Sequence, residues 1–128
     1  MLKSILTAVT AAAFLAMPAL AEDLSVGHSK GSKDAPLTII EYGSLTCGGC
    51  KYFHDKILPR IEADYIETGK VRFIFREVLR NDVDTALVTM ARCAGRDKFF
   101  EATDTMFARQ PDVIKSAQAG TVLDTFIE

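Results

Sequence analysis

Tryptophan is absent from this 128-residue chain, which also has only four prolines, two histidines and three cysteines. Two histidines and one closely spaced cysteine pair exclude the metal arrays built from repeated Cys-x-x-Cys or His-x-x-x-His pairs. The apolar stretch Ile5 to Met17 falls short of the roughly 20 residues a helix needs to cross a bilayer, and Pro18 interrupts it. Basic residues are not in excess: 15 Lys and Arg face 17 Asp and Glu, for a formal net charge of −2. Such a mildly acidic, mixed surface offers no electrostatic footprint for nucleic acid or anionic lipid. An odd number of cysteines leaves at least one thiol unpaired within a monomer.

What is present begins with a leader. Met1 to Ala21 carries one charge, Lys3, then an apolar run without acids, then the small-x-small triplet Ala19-Leu20-Ala21 before Glu22. This pattern predicts a cleavable export signal over residues 1–21, with residues 22–128 left as one small domain and no membrane segment in the mature form. Export would place the cysteines where disulfides persist.

Cys47-Gly48-Gly49-Cys50 stands between a strand-like run and a helical one. Residues 22–36 are a polar lead-in, with Leu24-Ser25-Val26 as a candidate edge strand. Leu37-Thr38-Ile39-Ile40-Glu41-Tyr42, bounded by Pro36 and Gly43, predicts a buried strand. From Cys47 to Thr68 apolar residues recur at helical spacing, with Thr46 as the expected N-cap, Gly69 beyond the C-terminus, and Pro59 expected to kink the middle. Val71 to Glu77 predicts a second strand, so residues 37–77 form a βαβ unit with parallel strands. Residues 82–128 are helical: Asp82 to Ala94 stopped by Gly95, Asp97 to Gln110, and a tail from Pro111 in which no strand is expected.

The chemistry rests on the cysteine pair. Cys47 at the helix start meets unpaired N–H groups and the positive end of the helix dipole, which favour a thiolate. Cys50, one turn on, is expected deeper and suits a resolving thiol. Lys51 at i+4 from Cys47 could add positive charge to the same face. Glu41, at the end of the first strand, either sits half-buried beneath the helix start and relays a proton to Cys50, or faces water. A static staple is a poor alternative, because a bridge closing so short a loop constrains the unfolded chain little. Zinc is a further alternative, with Cys47, Cys50 and His54 on one helical face and His28 or a distant acid as a fourth ligand. Otherwise His54 is expected to be an ordinary helix residue. Covalent haem attachment is excluded because Lys51, not histidine, follows Cys50.

Taken in order, Asp34-Ala35-Pro36, Glu41 through Cys50, Phe53-His54, Leu58-Pro59, Thr68-Gly69-Lys70-Val71-Arg72-Phe73 and Ala91-Arg92-Cys93-Ala94-Gly95 resemble the DsbA-like thioredoxin-fold proteins of the bacterial periplasm. The resemblance runs from about Asp34 to Gln110. It implies an α/β thioredoxin-like fold with a helical insertion, and a periplasmic thiol-disulfide oxidoreductase with no cofactor beyond its two thiols. Its attacking thiol would be Cys47, its resolving thiol Cys50 and its buried acid Glu41. Its partners would be folding exported proteins and a redox partner that recycles the dithiol.

Two departures accompany the resemblance. Gly48-Gly49 replaces the proline and histidine of the family's strong oxidant, which removes a positive charge beside the thiolate and implies a weaker oxidant. The family also returns after its helical insert with a cis-proline loop, two strands and a helix, whereas the later proline here is Pro111 with no strand after it. The chain is therefore expected to resemble the front portion of a family member. It would then be impaired in exchange or act only as a partner-binding module, with the Leu37 to Tyr42 strand left as an exposed edge. Cys93 resembles a helical-domain cysteine that pairs in some members with one further on, and its simpler reading is a small buried apolar residue.

Overall fold

The computed structural model describes residues 23–121; the expected export signal lies outside them. A three-stranded sheet in the order β1-β3-β2 is formed by β1 (His28–Lys30), β2 (Leu37–Gly43) and β3 (Val71–Glu77). β3 is central, antiparallel to β1 and parallel to β2, with Ile39 opposite Phe73 and Glu41 opposite Phe75. Its almost continuous apolar run suits a strand covered on both faces: Phe73, Ile74 and Phe75 are each at most 1% exposed.

Two expectations about the sheet need correction. The N-terminal edge strand is His28–Lys30 rather than Leu24 to Val26, which forms a turn around Asp23. Gly27 and Gly31, at φ of 100° and 86°, bound the strand on either side, a conformation that costs glycine little. The turn is pinned to β3 by Arg72 donating to the Leu24 carbonyl and Arg76 donating to those of Val26 and Asp23. The Leu37 to Tyr42 strand exists, but it is not buried throughout. It is the exposed edge that the family's strand order led one to expect, among the described residues, with Leu37 64% and Tyr42 60% exposed.

Between β2 and β3 the chain is helical from Gly48 to Ile66, but its hydrogen-bond register alternates. The helices α1 (Gly48–Tyr52) and α2 (Leu58–Ile61) are each followed by a π turn, Phe53–Ile57 and Glu62–Ile66. Pro59 has no N–H to donate, and it sits in the first turn of α2 directly after the first π turn. The wider register there is how the helix absorbs the proline. Gly69, at φ of 73°, donates to the Ile66 carbonyl while Lys70 donates to that of Tyr65, the paired bonds of a left-handed helix stop.

The helical region comprises α3 (Asp82–Cys93), a single 3₁₀ turn (Arg96–Lys98), α4 (Phe99–Ala108) and α5 (Gln110–Ala119). Gly95, at φ of 94°, ends the first of these as expected. Pro111 opens α5, and no strand follows it among the described residues. The core joins sheet to helices through phenylalanines: Phe75 meets Phe99 at 6.1 Å and Phe107 at 6.4 Å between centroids, and Leu87, Val113 and Leu45 fill the spaces between. Cys93 is exposed at the end of α3, contrary to the buried position expected for it.

Gly43, the last residue of β2, is where this core meets the site. A Cβ there would lie 2.3 Å from Phe75 Cε2 and 3.0 Å from Glu41 Oε1. The Phe75 ring is enclosed and cannot yield, so Gly43→Ala should cost about 1–3 kcal/mol. A Cβ at Gly48 would meet nothing within 4 Å, and Gly48→Ala should stay within about 0.5 kcal/mol of the parent. Urea denaturation of the two variants checks this; equal midpoints would refute the packing account.

Candidate active site

Seven residues of β2 carry the chain from the sheet edge to a tight loop, Ser44 to Thr46, and then into α1. Cys47, not Thr46, is the N-cap: its φ of −88° and ψ of 120° are extended, and helical geometry begins at Gly48. The thiol makes no capping hydrogen bond. It nevertheless lies where the Cys50 amide N–H can stabilise a thiolate, aided by the Cys50 thiol, the Gly49 N–H and the charge of Arg80. Together they outweigh desolvation and hold Cys47 below the ordinary thiol range. Burial pushes Cys50 the other way, with the Cys47 thiol and the Glu41 charge adding to the rise and a Ser44 backbone contact partly offsetting it. Both cysteines are free and partly exposed. Gly48 and Gly49 are exposed, and a Cβ on Gly49 would come within 3.8 Å of the Cys47 sulfur. Lys51 pairs with Asp55 at 2.9 Å, so the cation acting on Cys47 is Arg80 instead.

Asp84 and Gln110, two residues that sequence reasoning missed, hold this loop. Asp84 is 0% exposed. Its carboxylate accepts from Ser44 Oγ at 2.9 and 3.0 Å, from the Thr46 N–H at 3.0 Å and from the Arg80 N–H at 3.0 Å. Asn81 caps α3 by accepting from the Asp84 N–H, and donates to Thr46 Oγ1. From the other side, Gln110 Nε2 donates to the carbonyls of Leu45 at 2.8 Å and Cys47 at 3.1 Å. The available signal was weak: an acid three residues after an asparagine reads as an ordinary first-turn residue.

Glu41 takes the half-buried position, its side chain 13% exposed, with Oε2 3.0 Å from His54 Nε2. His54 is therefore not an ordinary surface helix residue. Its side chain is 3% exposed, and the first π turn aims it inward between Phe75 and Phe107. Burial works against its charge, but Asp104 and Glu41 outweigh that and raise it above the usual histidine value. The three proposed zinc ligands do not converge: among the described residues no group of three or more His, Cys, Asp or Glu is arranged to hold a metal ion. His28 instead stacks on Phe99 with centroids 3.4 Å apart.

Comparisons with known proteins agree with this geometry. Residues 24–125 match the family model described as thioredoxin. The chain is 34% identical over 86 residues to the disulfide bond formation protein D of Bacillus subtilis, covering 64% of this chain and 39% of that protein. A putative protein-disulfide oxidoreductase of Rickettsia bellii is 33% identical over 82 residues, 64% of this chain and 32% of its own length. The chain thus spans about a quarter to two fifths of the length of the curated relatives it matches. Among solved structures, oxidised BdbD of Bacillus subtilis superposes with a TM-score of 0.60 at 32% identity, over 67% of this chain and 49% of that one. A variant of alpha-DsbA1 of Wolbachia pipientis does so with a TM-score of 0.66 at 30% identity, over 70% and 46%.

The loop bonds generate a prediction. In Asp84→Asn the amide NH₂ must face either the Thr46 or the Arg80 N–H, leaving buried donors unpaired. The cost should be about 3 kcal/mol, against about 1 kcal/mol for Ser44→Ala, which removes one neutral donor. Equal urea midpoints for Asp84→Asn and the parent would show that the carboxylate does not hold the loop.

Proposed function

We propose that this chain, which belongs to the DsbA-like branch of the thioredoxin family, exchanges disulfides with proteins through Cys47 and Cys50. The observation that carries the reading is the asymmetry of the pair: the Cys47 thiol is lowered at a helix start, and the Cys50 thiol is raised by burial one turn deeper. A low-pKa thiolate attacks and leaves readily, while a high-pKa neighbour resolves.

In the oxidising direction a substrate thiolate attacks Cys47 of the closed disulfide, forming a mixed disulfide and releasing Cys50 as a thiolate that takes up a proton. A second substrate thiolate then attacks the substrate sulfur and frees Cys47. The substrate loses two electrons and two protons, and the pair gains them. Reduction runs the same steps backward from the Cys47 thiolate. A redox partner returns the pair to its starting state. Glu41 is the acid beneath Cys50 that assists its proton change.

Folding exported proteins in the periplasm are the proposed substrates. The leader pattern of residues 1–21 and the naming of relatives for disulfide formation support that reading. Gly48 and Gly49 place no charge beside Cys47, which supports a weaker oxidant than a relative with a cation there.

Trapping tests the roles. Cys50→Ser should accumulate mixed disulfides with a disulfide-bearing protein substrate through Cys47, identified by mass, and Cys47→Ser should accumulate at least about tenfold less. Trapping through Cys50, or none in either variant, would overturn the assignment.

A further inference from the structure

His54 lies among aromatic rings that offer its charge nothing comparable to water. Phe107 stacks on it with centroids 4.1 Å apart, and Phe75 meets it edge-on at 5.7 Å. A buried imidazole in such a cage costs stability unless its nitrogens are used. Nε2 is used, on Glu41. Nδ1 is buried without a hydrogen bond, and Asp104 Oδ1 lies 3.5 Å away. His54 and Asp104 both line a cleft of about 170 Å³, together with Leu58, Pro59, Glu62 and Phe107, space enough for water to reach the imidazole.

The charges around the ring are asymmetric. Glu41 of β2 stands on the Cys50 side, and its charge acts on that thiol. Asp104 of α4 and Glu62 of the second π turn stand on the cleft side. Lys30 of β1 lies 2.8 Å from Glu62 and 3.9 Å from Asp104, and Asp55, also in the cleft wall, pairs with Lys51. Protonated His54 is therefore flanked by Glu41 and Asp104, and neutral His54 leaves Glu41 unbalanced.

We propose that His54 is a positioning residue for Cys50: it holds Glu41 beneath that thiol and, by gaining or losing a proton through the cleft, decides whether Glu41's charge bears on it. With His54 charged, the Glu41 charge is paired and Cys50 ionises more easily. With His54 neutral, the carboxylate repels the Cys50 thiolate. The inference rests on the reading of Cys47 and Cys50 as an exchange pair, because only a thiol that must ionise in turnover makes such coupling useful. The upward pull of Asp104 and Glu41 on His54 places the change above the usual histidine value.

The test uses the chain with Cys47→Ser and Cys93→Ser, which leaves Cys50 as its one thiol. Its alkylation by iodoacetamide is followed by mass between about pH 5 and 10, the span that brackets both ionisations. The logarithm of the rate should rise along two parallel limbs joined by a shallow step where His54 titrates. The limbs should be offset by about threefold to tenfold, as expected for coupling of up to one pKa unit. Adding His54→Asn should leave a single limb. Should that variant fail to fold, Asp104→Asn, at a half-exposed side chain, should move the step to lower pH with its height retained. A single limb in the parent, a step that survives His54→Asn, or a step that Asp104→Asn does not move would each overturn the inference. A step in a chain whose intact pair exchanges no disulfides would remove the oxidoreductase reading alone; exchange without a step would remove the His54 coupling alone.

Discussion

The buried carboxylate of Asp84 is the constraint on which the site depends. A loop joining a strand to a helix start carries more backbone donors than it can satisfy by itself, and the helix adds its own. Asp84 takes the Thr46 N–H, the Arg80 N–H and the Ser44 hydroxyl, and Gln110 serves the loop's carbonyls from the opposite side. Donors are gathered by one helix of the helical region and acceptors by another. That region thus does more than cover the sheet: it fixes the backbone from Ser44 to Cys47, and with it the place of the Cys47 thiol at the start of α1. A buried charge is tolerated there because its hydrogen bonds replace those it made to water.

From that fixed point the chemistry divides by depth. Cys47 faces outward among amide N–H groups and the Arg80 charge, while Cys50 lies against the core with Glu41 nearby. Beneath them Glu41 and His54 form an inner polar pair whose far side reaches a cleft. Gly48 and Gly49 contribute no side chain to this arrangement. The helix start, the Cys50 thiol and the Arg80 charge therefore tune the outer thiol, and the position beside its sulfur stays open.

The sequence was most legible where one local rule operated alone. Alternation located β3, and helical spacing from Asp82 with Gly95 as a stop located α3. The Cys-Gly-Gly-Cys spacing pointed to the candidate site. Composition and pairing gave different answers for Leu37 to Tyr42: its residues read as a buried strand, which it is not, whereas the edge position expected from the family's strand order is the one β2 takes. Cys93 is apolar enough to be buried but ends α3 on its exposed side. His54 and Asp84 were misread or missed for one reason: each is a polar residue on the buried face of its helix, His54 four residues before Leu58 and Asp84 three before Leu87, and polar residues are by default read as facing water.

The central claim is that Cys47 and Cys50 act as one two-electron couple while Cys93 stands apart. Equilibration of the chain with reduced and oxidised glutathione, followed by thiol trapping and mass measurement, tests it most directly. The account predicts that Cys47 and Cys50 lose their free thiols together, as a single internal disulfide, over a narrow range of glutathione ratio that Cys93 does not share. Persistent glutathione adducts on Cys47 without closure to Cys50, or pairing of either with Cys93, would contradict it.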